Sequence, residues 1–280
     1  MKVSSYKGKI AYIMGGSSGI GLATARALFS KKAHVIIFSR GLEHLKSAVK
    51  AIERNRISDD QRLASAVMDV SNREMTVEIL SNAVNEFGAP DILINSAGIS
   101  YPQYFERIQF SKFDDIIKTN LYGSWNAIDV LLPRLIKTKG YIVNVSSMAG
   151  LIGVFGMTAY SASKYAVIGF SEALRSELRQ YNVTVSVLCP PDVNTPMLEN
   201  ANRIKPQETK ALSAAASIMG PGQVADSLLN AMTRGEFLII PNASGKITHI
   251  IKRVVPGIAE RVIDRKIKQV SKEDNSRRLS

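Results

Sequence analysis

Tyr160 and Lys164 stand four residues apart in the run Y-S-A-S-K. If that run is helical, a phenol and an ammonium share one face. A phenol with a pKa near 10 is a poor acid–base catalyst at neutral pH. A cation beside it favours the phenolate and lowers that pKa. Such a pair can give a proton to a carbonyl oxygen or take one from an alcohol. Ser147 follows the apolar run Y-I-V-N-V at 141–145, and its hydroxyl is placed to hold the same oxygen. A Tyr and a Lys one turn apart also occur in ordinary helices, so the pair gains meaning only from its company.

The company begins at 15–21 with G-G-S-S-G-I-G, directly after the apolar run at 10–14. Gly15 permits a tight turn, Gly19 lets backbone approach a diphosphate, and Gly21 lets helix and strand pack closely. Helix-start amides around Ile20 attract an anion, helped by the helix dipole, and the hydroxyls of Ser17 and Ser18 can donate to phosphate. The next apolar run ends in Ser39-Arg40, where an NAD-preferring site would carry Asp or Glu for the ribose hydroxyl. Arg40 instead suits a 2′-phosphate, which points to NADP(H) rather than NAD(H). Asp69-Val70 follows the third run. There a carboxylate can hold the adenine amino group, or serve only as a cap for a helix starting near Asn72.

Short β-branched runs alternate with longer helical patterns. Strands are expected at 10–14, 34–39, 63–68, 92–95, 141–145, 183–188 and 237–240. Helices are expected at 20–31, 42–54, 73–87, within 112–135, at 160–180 and at 224–233. Repeated β-α-β units imply a parallel sheet covered on both faces, and right-handed crossovers make it doubly wound, an α/β Rossmann fold. Residues 1–245 form one domain in this reading. Segment 190–222 lacks the β-α rhythm and is expected to be a substrate loop or lid.

The order of Gly15–Gly21, N-S-A-G at 95–98, Asn120, Ser147, Tyr160 and Lys164 resembles the short-chain dehydrogenase/reductase family, over about residues 7–240. That resemblance implies a role for each position. Tyr160 would be the proton donor in reduction. Lys164 would hold the nicotinamide ribose and lower the Tyr160 pKa. Ser147 would polarise the carbonyl, and Asn120 would anchor a water that relays protons to Lys164. Asn95, Ala97 and Gly98 would line the adenosine-ribose side, with Val193 and Thr195 at the carboxamide. Relatives commonly form dimers or tetramers through the helices after strands four and five, so a homo-oligomer is expected. Met14 stands where the family usually has Thr, Ser96 where it has Asn, and Pro191 where it has Gly. Met14 removes a hydroxyl that would help fix the loop after strand four.

F-G-M-T-A-Y-S-A-S-K at 155–164, P-P-D-V-N-T-P at 190–196 and K-P-Q-E-T-K at 205–210 resemble, more narrowly, the 3-ketodihydrosphingosine (3-dehydrosphinganine) reductases. This implies NADPH-dependent reduction of a long-chain keto-lipid. The alternatives are another apolar carbonyl (steroid, retinoid, 3-ketoacyl or xenobiotic) and a non-catalytic NADP(H)-binding scaffold docked on a membrane.

Composition narrows the rest. One cysteine, Cys189, excludes an internal disulfide framework or a multi-cysteine zinc site, and three scattered histidines speak against a metal centre. No apolar run reaches the roughly 18–20 residues that span a bilayer, and the first is too short for a signal-peptide core. The expected location is therefore cytoplasmic. The net charge is +12, and half of it falls after position 244. In 246–280 Ile247, Ile250, Ile251, Val254, Val255, Ile258, Val262, Ile263, Ile267 and Val270 form a helical stripe among Lys and Arg, broken near Pro256-Gly257. This basic amphipathic tail is expected either to lie peripherally on an anionic membrane or to pack on the protein. It has no aromatic residue for base stacking, so nucleic acid is not an expected partner.

Overall fold

Ile10–Met14 (β1) alternates residues that enter two different cores, so this strand must lie between two layers of helices. Ala11 and Ile13 join Val35, Ile37, Val143 and Leu228 on one face. Tyr12 and Met14 join Phe38, Leu93, Leu131 and Leu174 on the other. A strand buried on both faces reads as continuous apolar sequence, which is the mark of a parallel sheet. The computed structural model describes residues 3–214 and 217–278.

The other strands are His34–Ser39 (β2), Leu63–Val67 (β3), Ile92–Asn95 (β4), Tyr141–Val145 (β5), Thr184–Leu188 (β6) and Leu238–Ile239 (β7). All pair in parallel in the order β3-β2-β1-β4-β5-β6-β7. The doubly wound sheet expected from the sequence is thus present, with its order reversing between β1 and β4. Ligands of such sheets bind at the carboxyl ends of the strands beside that reversal. The helices are Gly19–Phe29 (α1), Leu42–Glu53 (α2), Arg73–Phe87 (α3), Phe110–Ile117 (α4), Gly123–Thr138 (α5), Thr158–Leu178 (α6), Pro196–Ile204 (α7), Gln207–Ala214 (α8), Pro221–Arg234 (α9), Ala243–Val254 (α10) and Pro256–Arg278 (α11).

Three local features set the site. First, α4 and α5 are joined by the π-helical turn Lys118–Tyr122, inside the stretch 112–135 where helix was expected. Such turns re-aim side chains and cluster at functional sites. Second, a buried polar chain fastens α6 to the sheet. Asn95 Nδ2 donates to Asn144 Oδ1 at 2.8 Å, Asn144 Nδ2 to Ser171 Oγ at 2.9 Å, and Ser171 Oγ to the Val167 carbonyl at 2.6 Å. Third, the segment without β-α rhythm contains α7 and α8, which lie over the carboxyl ends of the strands.

The tail divides in two. Pro256 starts a new helix, as its fixed φ and missing N–H favour. α11 packs on α8 and brings Ile263 into the cleft below. α10 turns Ile247, Ile250, Ile251 and Val254 outward, and Val254 is 71% exposed. Lys252 donates to Glu260 at 2.8 Å across the bend. Of the stripe residues named in the sequence, Ile258 has its side chain outside the described residues, as do the basic residues after position 270.

Candidate active site

Ser147 leaves the end of β5 in extended backbone, and its Oγ accepts from Ala149 N–H at 3.1 Å. The following turn can press against α6 because Gly150 has no Cβ. One built there would meet the Lys164 carbonyl oxygen at 2.6 Å. Ser146 Oγ donates to that same carbonyl at 2.8 Å. Strand end and helix are therefore locked together, and Ser147, Tyr160 and Lys164 face one cleft.

Lys164 is buried, and its Nζ donates to the Val145 carbonyl at 2.9 Å. Burial pushes its pKa down to about 8, partly opposed by Cys189. Its Nζ lies 5.6 Å from the centre of the Tyr160 ring. The phenol is raised, not lowered. Burial pushes Tyr160 up to about 12, Ser147 pulls against this through a hydrogen bond, and the charges of Asp192 and Cys189 add to the rise. The sequence expectation of a lowered phenol is corrected here. The ammonium is itself desolvated and turned to a main-chain carbonyl, so burial outweighs it. Tyr160 is accordingly held in its protonated, donor form.

Asn120 sits on the π-helical turn. Its Oδ1 accepts from Ile99 N–H at 2.8 Å, while its Nδ2 donates to the Ile99 carbonyl at 3.0 Å and to Ser163 Oγ at 2.9 Å. The side chain braces the loop after β4 against α6.

At the other end of the cleft Gly15 and Gly21 make the tight turn and close packing that their spacing suggested. Gly15 has φ +75°, and a Cβ there would strike the Ala97 backbone at 2.7 Å. A Cβ on Gly21 would meet the Gly15 carbonyl at 2.3 Å. Ser18 makes no side-chain cap on α1, and the first turn of α1 holds no acid. The first N–H groups of this helix are thus left for an anion. Ser17 Oγ donates to Ser39 Oγ at 2.8 Å, tying the glycine turn to the end of β2. Arg40 is 62% exposed and reaches Asp69 at 3.9 Å. Asp69 also accepts from Ser71, while Asn72 caps α3. Cradle and open helix terminus fit the diphosphate of a nicotinamide dinucleotide.

Gly15, Ser17, Ser18, Gly19, Ile20, Ser39, Arg40, Asp69, Val70, Ala97, Gly98, Val193 and Thr195 all line this cleft, whose volume is about 590 Å³. Asn95 does not. Its side chain is buried beneath, in the polar chain with Asn144. Ser96 lines the cleft instead. Met14 is buried in the core, and the loop after β4 is fixed through backbone, Ser96 N–H donating to the Met14 carbonyl at 3.0 Å. The lost hydroxyl therefore leaves the loop anchored.

The far end of the cleft is apolar, lined by Met148, Ile152, Val154, Met197, Leu198 and Leu212. The K-P-Q-E-T segment fastens its cover. Tyr104 Oη donates to Glu208 at 2.9 Å, and Thr209 Oγ1 donates to the Phe155 carbonyl at 2.8 Å. Asp192 and Lys205 also line the cleft. Both lie in motifs quoted from the sequence, but no chemistry followed from their spacing because they meet only through the fold. Thr248 and Ile263 join the lining from the segment read as tail.

The sequence model of short chain dehydrogenases matches residues 9–206. A mouse protein named 3-ketodihydrosphingosine reductase is 38% identical over 227 residues, 80% of this chain and 68% of that protein. A protein of the same name from Dictyostelium discoideum is 33% identical, over 90% of this chain and 79% of its own length. The crystal structure of a short chain dehydrogenase/reductase from Burkholderia phymatum superposes with a TM-score of 0.78 at 24% identity, covering 89% of this chain and 94% of that one. Its likeness concerns the fold. The matched stretch runs from β1 through the glycine turn and the Tyr160–Lys164 pair as far as the cover helices, and by it this protein belongs to the short chain dehydrogenase family.

Proposed function

We propose that this protein is an NADPH-dependent reductase of a long-chain keto-lipid, converting 3-ketodihydrosphingosine to dihydrosphingosine. The observation that carries the chemistry is Tyr160, held protonated beside Ser147 at the meeting of a dinucleotide cradle and an apolar chamber. The substrate follows from the relatives, which bear that name over most of this chain. Bound NADPH supplies a hydride to the carbonyl carbon. Tyr160 donates its phenolic proton to the carbonyl oxygen, which Ser147 orients. The phenol O–H bond breaks as the alcohol O–H forms, and the phenolate left behind stays close to the Lys164 ammonium. Lys164 would also hold the nicotinamide ribose, and Asn120 braces the loop after β4 beside it. Arg40 binds the 2′-phosphate, with Asp69 steadying its guanidinium.

A lipid ketone must reach this chamber from a membrane, and α10 offers the contact. Its exposed isoleucines and valines, flanked by Lys246 and Arg253, lie on the outer side of the helix that lends Thr248 to the cleft. A basic helix with an exposed apolar face lies flat on anionic lipid. Among the described residues no helix is long and apolar enough to cross a membrane. Exposed Phe110, Tyr122 and Trp125 on the α4–α5 side suit a second copy of the chain.

Tyr160→Phe removes the proton donor and leaves the cradle untouched. Its kcat should fall by about 10²- to 10⁴-fold while NADPH still binds, measured by fluorescence. Turnover near that of the wild type would contradict the mechanism. Arg40→Ala removes one charge-assisted contact and should weaken NADPH by about 10- to 100-fold with NADH little changed. Equal losses for both would remove Arg40 as the discriminator. Ile250→Glu with Val254→Glu should abolish co-sedimentation with phosphatidylserine vesicles and spare reduction of detergent-dispersed ketone. Undiminished co-sedimentation would show that α10 is not the contact.

A further inference from the structure

The chamber is largely apolar, yet a carboxylate stands in its lining with the proton donor. Asp192 lines the cleft beside Pro190 and Val193, and its charge acts on the Tyr160 hydroxyl. Its backbone is held firmly. The Asp192 carbonyl accepts from Met219 N–H at 3.0 Å, and Val193 forms a parallel bridge with Met219. Its side chain is 33% exposed, toward the cleft. Only Lys205 pairs with it among the described residues. Lys205 is 4% exposed, and its Nζ donates to Asp192 Oδ2 at 3.4 Å and to Ser213 Oγ at 3.3 Å. That contact is long and engages one oxygen, so Asp192 Oδ1 keeps acceptor capacity to spare.

For an uncharged ketone this carboxylate is a liability. It must be desolvated, and it places negative charge where oxyanion character develops. A substrate with a cation next to its carbonyl reverses both effects. 3-Ketodihydrosphingosine is such a molecule, with an amine on the carbon beside the ketone. An amine so placed titrates in the range of a chain terminus, at about 8, and is largely protonated at neutral pH. The cation is two bonds from the carbonyl carbon, so a carboxylate lining the same cleft as Tyr160 can meet it while the ketone faces the phenol.

We propose that Asp192 is the receptor for the substrate ammonium and sets specificity for 2-amino ketones, with Lys205 as the residue that positions its carboxylate. This rests on the reductase reading above and adds to it how the substrate is told from other apolar carbonyls. The ammonium donates to Oδ1 while Lys205 donates to Oδ2. The ketone is thereby set in register with Tyr160 and Ser147. Anionic ketones are repelled by the same charge.

The test compares kcat/KM of the full chain, with NADPH, for 3-ketodihydrosphingosine and for its desamino analogue, the same chain with hydrogen in place of the amine. The wild type should prefer the amine by at least about tenfold. In Asp192→Asn that ratio should drop by about 10- to 100-fold, mainly through KM, and Asp192→Glu should restore part of it. NADPH binding by each variant reports that the fold is intact. A wild type that reduces both ketones equally well, or an Asp192→Asn enzyme with the wild-type ratio, overturns the assignment and leaves the reductase reading standing. A wild type that reduces the desamino ketone and ignores the amino ketone overturns both. If Asp192→Asn fails to bind NADPH, the Asp192→Glu ratio decides. A preference no smaller with the longer, displaced carboxylate counts against a positioned receptor, and a reduced one supports it.

Discussion

The structure depends on one buried charge. Lys164 must present an ammonium at the carboxyl end of the sheet from a position almost without water. Desolvation of such a group is expensive unless it is hydrogen-bonded. The Val145 carbonyl accepts one hydrogen bond from it, and burial still holds the pKa down to about 8. For that contact to exist, α6 must sit at a fixed height on β5. The bonds from Asn95 through Asn144 to Ser171, the Ser146 contact to the Lys164 carbonyl and the missing Cβ of Gly150 all set that height. Tyr160, one turn earlier on the same helix, is placed as a consequence.

The same constraint explains how the two halves of the cleft divide their work. The β1–α1 side is polar and built from backbone, with glycines where side chains would block approach and an uncapped helix start where an anion belongs. The β5–β6 side is built from side chains, and its cover is pinned by Glu208 and Thr209 onto the loops carrying Tyr104 and Phe155. α11 then packs over α8, so the cover is two layers deep. Thr195 joins the halves. Its methyl group approaches Gly19, and its hydroxyl caps α7.

Much of this was legible in the sequence because it depends on local patterns. Continuous β-branched runs specify two-sided parallel strands, and the glycine spacing specifies the cradle. The four-residue step from Tyr160 to Lys164 specifies one helical face. What was not legible depends on contacts between distant segments. The rise of the Tyr160 pKa comes from burial that only the assembled chamber creates. The withdrawal of Asn95 from the cleft comes from Asn144, 49 residues away in sequence. The π-helical turn at Asn120 leaves no signature in apolar periodicity. Asp192 and Lys205 are 13 residues apart, across α7, and only the fold makes them a pair. The apolar stripe of the tail and its break at Pro256 were visible, but that α10 faces outward while α11 packs over the cleft depends on where α8 lies.

The most direct test of the central claim is the rate of NADPH oxidation by the purified chain with 3-ketodihydrosphingosine in detergent, set against NADH and against an unrelated apolar ketone. Turnover with the sphingoid ketone and NADPH should lie well above both controls. Turnover confined to the unrelated ketone, or equal with NADH, would contradict that claim.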